Sequence, residues 1–560
     1  MKWSLFAIIL LAAGFYFWHL DRPDIITDES SIATRAIGMV DFDFGIKQPT
    51  PWEWVNEVPW WMHLSFHDHP PLVFLLQHYS IRLFGETPFA IRLPSVLAGL
   101  ATILLVFLIG KRLYSPVVGL TASTLFAFTV NHVWLSRIGL QESIAISLML
   151  ASAYFFLRGL EQPQRLIWSG IFLSLAFLAK YHTLILLPIF GTVLALRGWQ
   201  FIRTNIRYFL FSIFFFLLIA SPVIIYNTQL YRHFGHFDFQ FSQLFGQEVK
   251  AWPSRPGQEV LGSYAERIRT YIPRLIESNS PYFLILAAIG LAAILFQGIR
   301  NRRSFVIQHS SFIIIFVWLL LFLVFVGPAH RFLSLLTPWL AIAAGYAITR
   351  LNYSQILKNL RIVLIAAAVL AIVEATYAYN SIIALDPIGP QPWAYSYLRR
   401  QAHSWGFNQL NEYLDGRLAD KAPAVAFPIE MRFVHELLAG AVRRGEVKGA
   451  AFVPQAIVYN NNINSSSQLW IFLRRIIYDG WPITSAEEFR HGMADIFREA
   501  GITEIYFINP TKHALQDRAL PPTPDGDIME AELKAQGVIP TEIKNPRGEV
   551  AFRVYQFDLQ

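Results

Sequence analysis

The chain has no cysteine, and for its length of 560 residues it has few charged residues. The absence of cysteine excludes a small secreted domain that is held together by disulfides. Charged residues make up 15% of the chain and hydrophobic residues 54%, whereas ordinary soluble proteins are about 25% charged. This composition also excludes intrinsic disorder and a coiled coil, and it predicts an integral membrane protein.

Apolar runs that approach the length of a membrane span recur in the first 385 residues. A transmembrane helix needs about 20 apolar residues. About eleven runs qualify, near residues 3–20, 89–110, 116–134, 143–158, 166–180, 182–197, 208–226, 281–298, 310–327, 332–349 and 362–380. No small-residue cleavage motif follows the first run, so we interpret it as a retained span, with a cleaved signal peptide as the alternative. We therefore expect a polytopic α-helical membrane protein.

The basic residues between these runs fall on alternate connections, which accounts for the net charge of +7 without a nucleic-acid partner. They are Lys111, Arg112, Arg158, Arg165, Arg197, Arg203, Arg207, Arg300, Arg302, Arg303, Arg350, Lys358 and Arg361. The positive-inside rule makes that side cytoplasmic. We expect a multi-pass protein of the plasma or inner membrane with a cytoplasmic N-terminus. The outer face then carries loops 21–88 and 227–280 and everything after residue 385.

The composition changes after Asp386, where charged residues become frequent and no later run is apolar enough to span a bilayer. This change predicts two parts, a membrane domain over residues 1–385 and a soluble extracytoplasmic α/β domain over residues 386–560. Short strands are predicted at 424–427, 450–453 and 504–508, a second helix at 527–536 and a hairpin turn at 545–548. Ser485 and Glu488 form a capping box that predicts the start of a helix ending at Ala500.

Few ionisable residues lie in the middle of the predicted spans, unlike in most proton-driven pumps and ion transporters. Glu374 is the main candidate for such a residue, and it lies near the outer end of the last run. The other ionisable residues concentrate at the outer ends of spans and in the outer loops. They are Asp28, Glu29, His67, Asp68, His69, Arg92, Arg137, Glu142, Lys180, His182, His330 and Arg331. An enzyme that acts on a lipid-linked substrate would hold its catalytic groups at this level.

Several of these residues belong to short motifs that follow one another in a fixed order. The motifs are Asp28-Glu29-Ser30, His67-Asp68-His69-Pro70-Pro71-Leu72, Phe84-Gly85, Phe89-Ala90-Ile91-Arg92-Leu93-Pro94-Ser95, Ser136-Arg137-Ile138-Gly139-Leu140-Gln141-Glu142, Ala176-Phe177-Leu178-Ala179-Lys180-Tyr181 and His330-Arg331-Phe332. In order, spacing and shared outer side they resemble the protein O-mannosyltransferase and lipid A aminoarabinose transferase superfamily. These glycosyltransferase family 39-like enzymes have a GT-C fold and use polyprenyl-phosphate sugars.

The resemblance is good over roughly the first 200 residues, loose over the remaining spans and absent after residue 385. Two positions depart from the family pattern. His69 stands where many relatives have Lys, and Glu142 stands where relatives usually have Asp. Both changes preserve the chemistry of the site, but they leave the identity of the sugar and of the acceptor open.

The resemblance implies a sugar transfer from a polyprenyl-phosphate donor to a hydroxyl or amine of a protein, lipid or glycan, with no required cofactor. It implies that Asp28 is the base of a single displacement; a helix N-cap is the alternative role for this residue. We expect Glu29 to orient Asp28 or the acceptor. Glu142 is expected to contact the sugar or to pair with Arg137.

The leaving phosphate needs cations, and Arg suits it through bidentate hydrogen bonds. Arg331, Arg137 and Lys180 are the candidates, with snorkelling to lipid headgroups as the alternative for each. Further substrate contacts are expected from His67, Asp68, His69, Arg92, Tyr181 and His330. His67 and His69 could instead bind a divalent metal with help from a nearby carboxylate, although the resembled mannosyltransferases do not require one.

A transporter or lipid flippase is the alternative function. It predicts charged or broken helices at mid-membrane and an internal repeat, and neither is clear in the sequence. A non-catalytic membrane scaffold would leave the charged motifs of the outer side unexplained. The pattern therefore favours a glycosyltransferase.

Overall fold

The computed structural model of the chain describes residues 2–42, 50–250, 252, 262–300, 308–351, 360–427, 433–463, 465–515 and 523–559. The basic loop residues Arg302, Arg303 and Lys358 lie outside these ranges. Over the described residues the protein is mainly α-helical, with strands confined to the part after residue 420.

The part before residue 386 is built from α-helices joined by short turns. The helices are α1 (Lys2–Phe17), α2 (Asp28–Gly38), α3 (Leu72–Phe84), α4 (Pro88–Leu113), α5 (Pro116–Phe128), α6 (Val130–Ser136), α7 (Gln141–Gly159), α8 (Leu166–Ala179), α9 (Leu186–Arg197), α10 (Trp199–Thr204), α11 (Ile206–Phe234), α12 (Phe239–Leu244), α13 (Tyr264–Glu277), α14 (Pro281–Arg300), α15 (Gln308–Val326), α16 (His330–Leu333), α17 (Thr337–Leu351) and α18 (Leu360–Ala378). A helix therefore occupies each apolar run that the sequence predicts as a span.

Within the described residues, three helices are long and apolar enough to cross a membrane by themselves: α4, α11 and Val363–Ile383. Two bent pairs raise the number to five if each pair is one span: α5 with α6, bent by 64°, and α13 with Pro281–Gln297, bent by 119°. The structure thus confirms a helical membrane protein with at least three apolar spans. The larger number, eleven, stays a prediction.

Close contact between the apolar helices depends on residues without a side chain. A Cβ atom added to Gly290 of α14 would lie 1.9 Å from the carbonyl oxygen of Ala343 in α17. One added to Gly110 of α4 would lie 2.9 Å from the Cα of Gly119 in α5. In lipid the hydrophobic effect does not favour the association of apolar helices. Close van der Waals contact at such small residues therefore contributes much of the free energy of helix packing.

The part after residue 386 combines helices with two parallel or mixed sheets. Its strands are β1 (Lys421–Pro423), β2 (Ala451–Val453), β3 (Gln455–Tyr459), β4 (Ile483–Ser485), β5 (Glu504–Pro510), β6 (Thr541–Lys544) and β7 (Val550–Asp558). Its α-helices are α19 (Phe407–Leu418), α20 (Val434–Lys448), α21 (Ser465–Gln468), α22 (Arg474–Asp479), α23 (Ala486–Glu488), α24 (Ala494–Glu499) and α25 (Asp525–Ala535). The larger sheet has the order β4-β3-β5-β7-β6 and is parallel on the β4 side and antiparallel on the β6 side.

Several local predictions for this part are confirmed. The capping box of Ser485 and Glu488 is present, and the hairpin between β6 and β7 turns at 545–548. The predicted strand at 424–427 is wrong, because the strand lies at Lys421–Pro423. Its partner β2 ends at Val453, because the chain then continues as β3, which pairs with β4 and β5 instead.

A buried carboxylate helps to fasten the C-terminal part to the loop over residues 21–88. Asp24 accepts hydrogen bonds from the backbone N–H groups of Trp405, Gly406 and Asn408. Trp61 of the same loop is buried in an apolar cluster with Phe433 of the C-terminal part. The loop that carries the first predicted motif is therefore held between the helices and the C-terminal part.

We expect Gly290→Ala to destabilise the protein by about 1–3 kcal/mol, because the added methyl group must push α14 away from α17. Thermal unfolding in detergent measures this. Gly191→Ala is the matched control: it also lies inside a helix, and a Cβ there meets no atom within 4 Å. Equal unfolding temperatures for the two variants would contradict the role of this contact.

Candidate active site

Four charged side chains from distant segments meet at one end of the helical part. Lys180 Nζ donates to Glu142 Oε1, and the Arg331 guanidinium pairs with the carboxylate of Asp28. Arg331 Nε lies 3.7 Å from Glu142 Oε1, which joins the two pairs. We call Asp28, Glu142, Lys180 and Arg331 the four-residue cluster.

Each of three members lies at the helix end that favours its charge. Asp28 and Glu142 lie in the first turns of α2 and α7, where the helix dipole stabilises an anion. Lys180 follows directly after the C-terminus of α8, where the dipole stabilises a cation. Helices α7 and α8 pack against each other and are joined by a short turn, so the start of one and the end of the other lie side by side.

The cluster has a buried half and an open half. The side chains of Glu142 and Lys180 are 2% and 15% exposed, whereas those of Arg331 and Asp28 are 36% and 52% exposed. Phe332 lies under both cations, with its ring centroid 5.1 Å from Lys180 Nζ and 5.2 Å from the Arg331 guanidinium carbon. A substrate would therefore contact the exposed side chains of Asp28 and Arg331 first. The buried Glu142 carboxylate holds the Lys180 ammonium group in place by an ion pair.

The residue before Asp28 has a strained backbone. Thr27 adopts φ 59° and ψ −148°, which is rare for a β-branched residue and costs about 1–3 kcal/mol. Its carbonyl oxygen accepts hydrogen bonds from the backbone N–H and the hydroxyl of Ser30. This sharp entry into α2 sets the direction in which the Asp28 carboxylate leaves the helix.

Glu29 and Arg92 do not join the four-residue cluster but form a buried ion pair of their own. Arg92 Nε and Nη2 each donate to one oxygen of Glu29 over 2.7 Å. The other three N–H groups of Arg92 reach the carbonyl oxygens of Leu20, Pro23 and Asp24. All five donors of the guanidinium are thus used, and the loop between α1 and α2 is tied to α4.

The same carboxylate explains a glycine in one of the sequence motifs. The backbone N–H of Gly139 donates to Glu29 Oε1 over 2.6 Å. A Cβ on Gly139 would lie 2.6 Å from a methyl group of Ile91 and 3.0 Å from Glu29 Oε1. The residues around 139 can approach Glu29 this closely because Gly139 has no side chain.

Three other predicted site residues have partners outside the cluster. Arg137 donates to the carbonyl oxygens at the end of α1, so it does not pair with Glu142 as expected. Tyr181 donates to Asp238 over 2.9 Å, and His330 lies 2.9 Å from Glu277. The structure therefore directs these side chains away from Asp28.

The predicted histidine loop forms a second charged group around Arg35. Arg35 holds Asp68 with two hydrogen bonds of 2.7 and 3.2 Å, and His69 Nδ1 lies 2.9 Å from Asp68. His67 pairs with Asp41 over 2.7 Å. Although burial opposes it, the charges of Arg35, His69 and His67 hold the pKa of Asp68 well below its usual range.

Ligand atoms of Asp41, His67 and Asp68 lie within 4.8 Å of one another, which is close enough for a shared metal ion. The same two carboxylates already face Arg35, whose Nη1 lies 2.7 Å from Asp68 and 3.9 Å from Asp41. A divalent ion would have to displace this guanidinium. The geometry thus favours an ion-pair network over the alternative of a metal site at His67 and His69.

Arg35 and Asp41 are missing from the sequence-based site. Arg35 follows Asp28 by seven residues, or about two helical turns, so it shares a face of α2 with Asp28. That spacing could have identified Arg35. Asp41 lies in an apolar stretch of the sequence, and its partner becomes evident only in the fold.

Comparisons with known proteins find a family model, a relative and solved structures that this chain resembles. Residues 68–226 match the family model described as dolichyl-phosphate-mannose-protein mannosyltransferase. An undecaprenyl phosphate-alpha-4-amino-4-deoxy-L-arabinose arabinosyl transferase of Pseudomonas fluorescens is 23% identical over 409 residues. This alignment covers 69% of the chain but 65% of the relative, so about a third of the relative's length has no counterpart in it.

The fold is similar to the solved structure of ArnT from Cupriavidus metallidurans in the apo state. The TM-score is 0.50 at 14% identity, over 98% of this chain and 97% of that protein. The archaeal oligosaccharyltransferase AglB from Archaeoglobus fulgidus gives a TM-score of 0.46 at 11% identity, over 90% of this chain and 69% of that one. The resemblance to GT-C glycosyltransferases of the protein mannosyltransferase and ArnT type is confirmed.

We expect Glu29→Gln to destabilise the protein by about 3–5 kcal/mol, because it leaves the buried Arg92 cation without its counter-ion. Glu161→Gln is the control, since Glu161 is 57% exposed and pairs with Arg112 at the surface; its cost should stay below about 1 kcal/mol. Thermal unfolding of the purified variants separates the two. Wild-type stability of Glu29→Gln would show that the pair does not hold the loop.

Proposed function

We propose that the protein is a membrane glycosyltransferase that moves a sugar from a polyprenyl-phosphate donor to an acceptor at the outer face of the membrane. The observation that carries this proposal is the convergence of Asp28, Glu142, Lys180 and Arg331. The cluster offers a half-exposed carboxylate next to two cations at the ends of apolar helices. The mannosyltransferase family model and the arabinosyl transferase relative support the same reaction class.

In this proposal Arg331 and Lys180 bind the donor phosphate. Arg331 now pairs with Asp28. The donor phosphodiester offers it another anion with two free oxygens, which Arg can bind with paired hydrogen bonds while Lys180 supplies a second cation. Donor binding therefore draws Arg331 away and releases the Asp28 carboxylate. Glu142 remains paired with Lys180 on the buried side. This pair keeps the ammonium group of Lys180 directed toward the phosphate.

The released Asp28 then serves as the general base. It accepts the proton of the acceptor hydroxyl or amine while the acceptor oxygen or nitrogen bonds to the anomeric carbon of the sugar. The bond from that carbon to the phosphate oxygen breaks, and polyprenyl phosphate leaves with the electron pair. Arg331 and Lys180 stabilise the charge that develops on the leaving phosphate. No step is assigned to a metal ion.

We further propose the topology that the charge pattern predicts. Eleven spans within residues 1–385 place the N-terminus in the cytoplasm and the outer loops 21–88 and 227–280 on the other side. Residues 386–560 then form an extracytoplasmic α/β domain, and the protein lies in the cell or inner membrane. The helices at all predicted runs and the strands after residue 420 support this proposal.

The acceptor is proposed only by class, as a hydroxyl or amine of a protein, lipid or glycan. His67, Asp68 and His69 belong to the group of charged residues around Arg35. Tyr181 and His330 lie next in sequence to Lys180 and Arg331. We assign these five residues to shaping the walls of the site rather than to the bond-making step.

The function is tested with purified protein in vesicles that contain radiolabelled undecaprenyl-phosphate sugars. A glycosyltransferase releases free undecaprenyl phosphate and transfers the label to an acceptor or to water. A transporter or flippase would move the intact lipid between leaflets without breaking the bond, and this outcome would overturn the proposal.

We expect Asp28→Asn to lower turnover by about 10²–10⁴-fold, because an amide cannot accept the proton of the acceptor. Donor affinity should not fall, since the change removes the carboxylate that competes for Arg331. Asp21→Asn, an exposed acid of the same loop, is the control. If Asp28→Asn keeps more than about a tenth of the activity while Glu142→Gln abolishes it, Glu142 is the base.

Donor binding tests the role of Arg331. Arg331→Ala should weaken it by about 1.5–3 kcal/mol, the range for a hydrogen bond to a charged group. Arg331→Lys should recover only part of the donor affinity, because the Lys ammonium group lacks the two parallel N–H donors of a planar guanidinium. Arg232→Ala, an exposed arginine at the end of α11, controls for general attraction to anionic lipid. Unchanged affinity in Arg331→Ala would leave this residue with no role in donor binding.

The topology is tested by a reporter fused after Gln560 that is active only in the cytoplasm. We expect it to remain inactive, because an odd number of spans brings the C-terminus to the outer side. The same reporter at Lys2 should be active. Cytoplasmic activity of the C-terminal fusion would invert the proposed catalytic face.

A further inference from the structure

A narrow cationic pocket lies on the side of the molecule where α1 and α18 end. It lies between the turn that follows α1, the end of the last apolar helix and two segments of the C-terminal part. Its basic lining residues are Arg22, Arg137, Arg399, Arg547, His19 and His403. None of the four-residue cluster lines this pocket.

The charges of this pocket are not balanced. Four guanidiniums line it, and among the lining residues there is no acid. Asp386, 77% exposed, pairs with Arg547 over 3.2 Å. Two further acids act on these groups from outside the lining: Asp21 on Arg137, and Glu549 on Arg547 and His403. Closely packed cations that are partly withdrawn from water are costly unless anions neutralise them.

Backbone carbonyl oxygens accept hydrogen bonds from several of these guanidinium groups. A neutral carbonyl group does not cancel their net positive charge. Arg22 donates to the carbonyl oxygen of Ile383 over 3.3 Å, and Arg547 donates to that of Leu385 over 2.9 Å. Arg399 donates to Ala384 and Leu385. A single cation would be enough to stabilise the C-terminal end of α18. Three converge on the same turn, with Arg137 opposite them.

Arg137 also retains an unused donor. Its side chain is 3% exposed, and its Nη groups bond to carbonyl oxygens at the end of α1. Its Nε finds no hydrogen-bond partner among the residues that the structure describes. Burial and the nearby positive charges of Arg547 and Arg399 lower the pKa of His403 to about 4.

We propose that this pocket is an anion site for a phosphate group, separate from the candidate active site. Guanidinium groups match phosphate oxygens with paired hydrogen bonds. The ends of α1 and α18 place the pocket at the level where lipid headgroups meet water. The phosphate comes either from the headgroup of an anionic phospholipid or from a soluble phosphate, and the proposal does not depend on the transferase reaction.

The test uses the purified full-length chain, stripped of lipid in detergent. Binding is measured by native mass spectrometry for phosphatidylglycerol, for phosphatidylcholine of the same acyl chains and for inorganic phosphate. Arg399→Gln combined with Arg547→Gln removes two cations of the pocket. Arg443→Gln, an exposed arginine of α20 outside the pocket, removes the same kind of charge elsewhere.

We expect wild-type protein to bind phosphatidylglycerol at least about 10-fold more tightly than phosphatidylcholine, and the double variant to lose this preference. Arg443→Gln should keep it. Preference for the lipid alone identifies a headgroup as the ligand, and binding of inorganic phosphate at the same site identifies a soluble source. Loss of the preference in Arg443→Gln, or no anion preference in the wild type, would overturn the proposal.

A failure of the double variant to fold leaves a second route. Arg22→Gln loses one cation but only one long hydrogen bond to the backbone, so it should fold. Its anion affinity should fall by about 10-fold while its unfolding temperature without ligand stays close to wild type. Unchanged anion affinity in a folded Arg22→Gln would again overturn the proposal.

Discussion

The buried pair of Glu29 and Arg92 is the interaction on which the rest of the site depends. All five N–H groups of Arg92 donate hydrogen bonds, two to Glu29 and three to carbonyl oxygens of the turn after α1. Glu29 in turn receives the backbone N–H of Gly139. Three segments far apart in sequence are thus joined at one point inside the protein. Asp28 is the next residue along the chain, so its position follows from this pair.

Charged side chains lie at helix ends around both the four-residue cluster and the cationic pocket. Asp28 and Glu142 begin helices, Lys180 ends one, and three arginines converge on the carbonyl oxygens after α18. Apolar helices leave their end groups at the membrane surface, where unsatisfied N–H and C=O groups need partners. The same positions suit groups that bind a lipid-linked phosphate. Structural and substrate-binding charges therefore resemble each other in sequence, and they are told apart by their partners.

This explains how far the sequence could predict the site. A helix occupies every predicted hydrophobic run, although the apolar helix α3 lies outside these runs. Charge at the run ends and in the loops gave twelve candidates, and four of them, Asp28, Glu142, Lys180 and Arg331, meet in the fold. Arg137 has the same signal but turns toward the end of α1, because the carbonyl oxygens that bind it come from a segment about 120 residues earlier. The direction of such a side chain depends on tertiary packing, which no local pattern contains. The strand at Lys421–Pro423 was misplaced for a similar reason, since its partner sets its limits.

In the proposed mechanism Arg331 exchanges the Asp28 carboxylate for the phosphate of a polyprenyl-phosphate donor. An experimentally determined structure of the full-length protein in lipid with undecaprenyl phosphate tests it most directly. The account predicts phosphate oxygens within hydrogen-bond distance of Arg331 and Lys180, with Asp28 released toward the open side and Glu142 still on Lys180. A phosphate bound elsewhere, with Asp28 and Arg331 still paired, would contradict it.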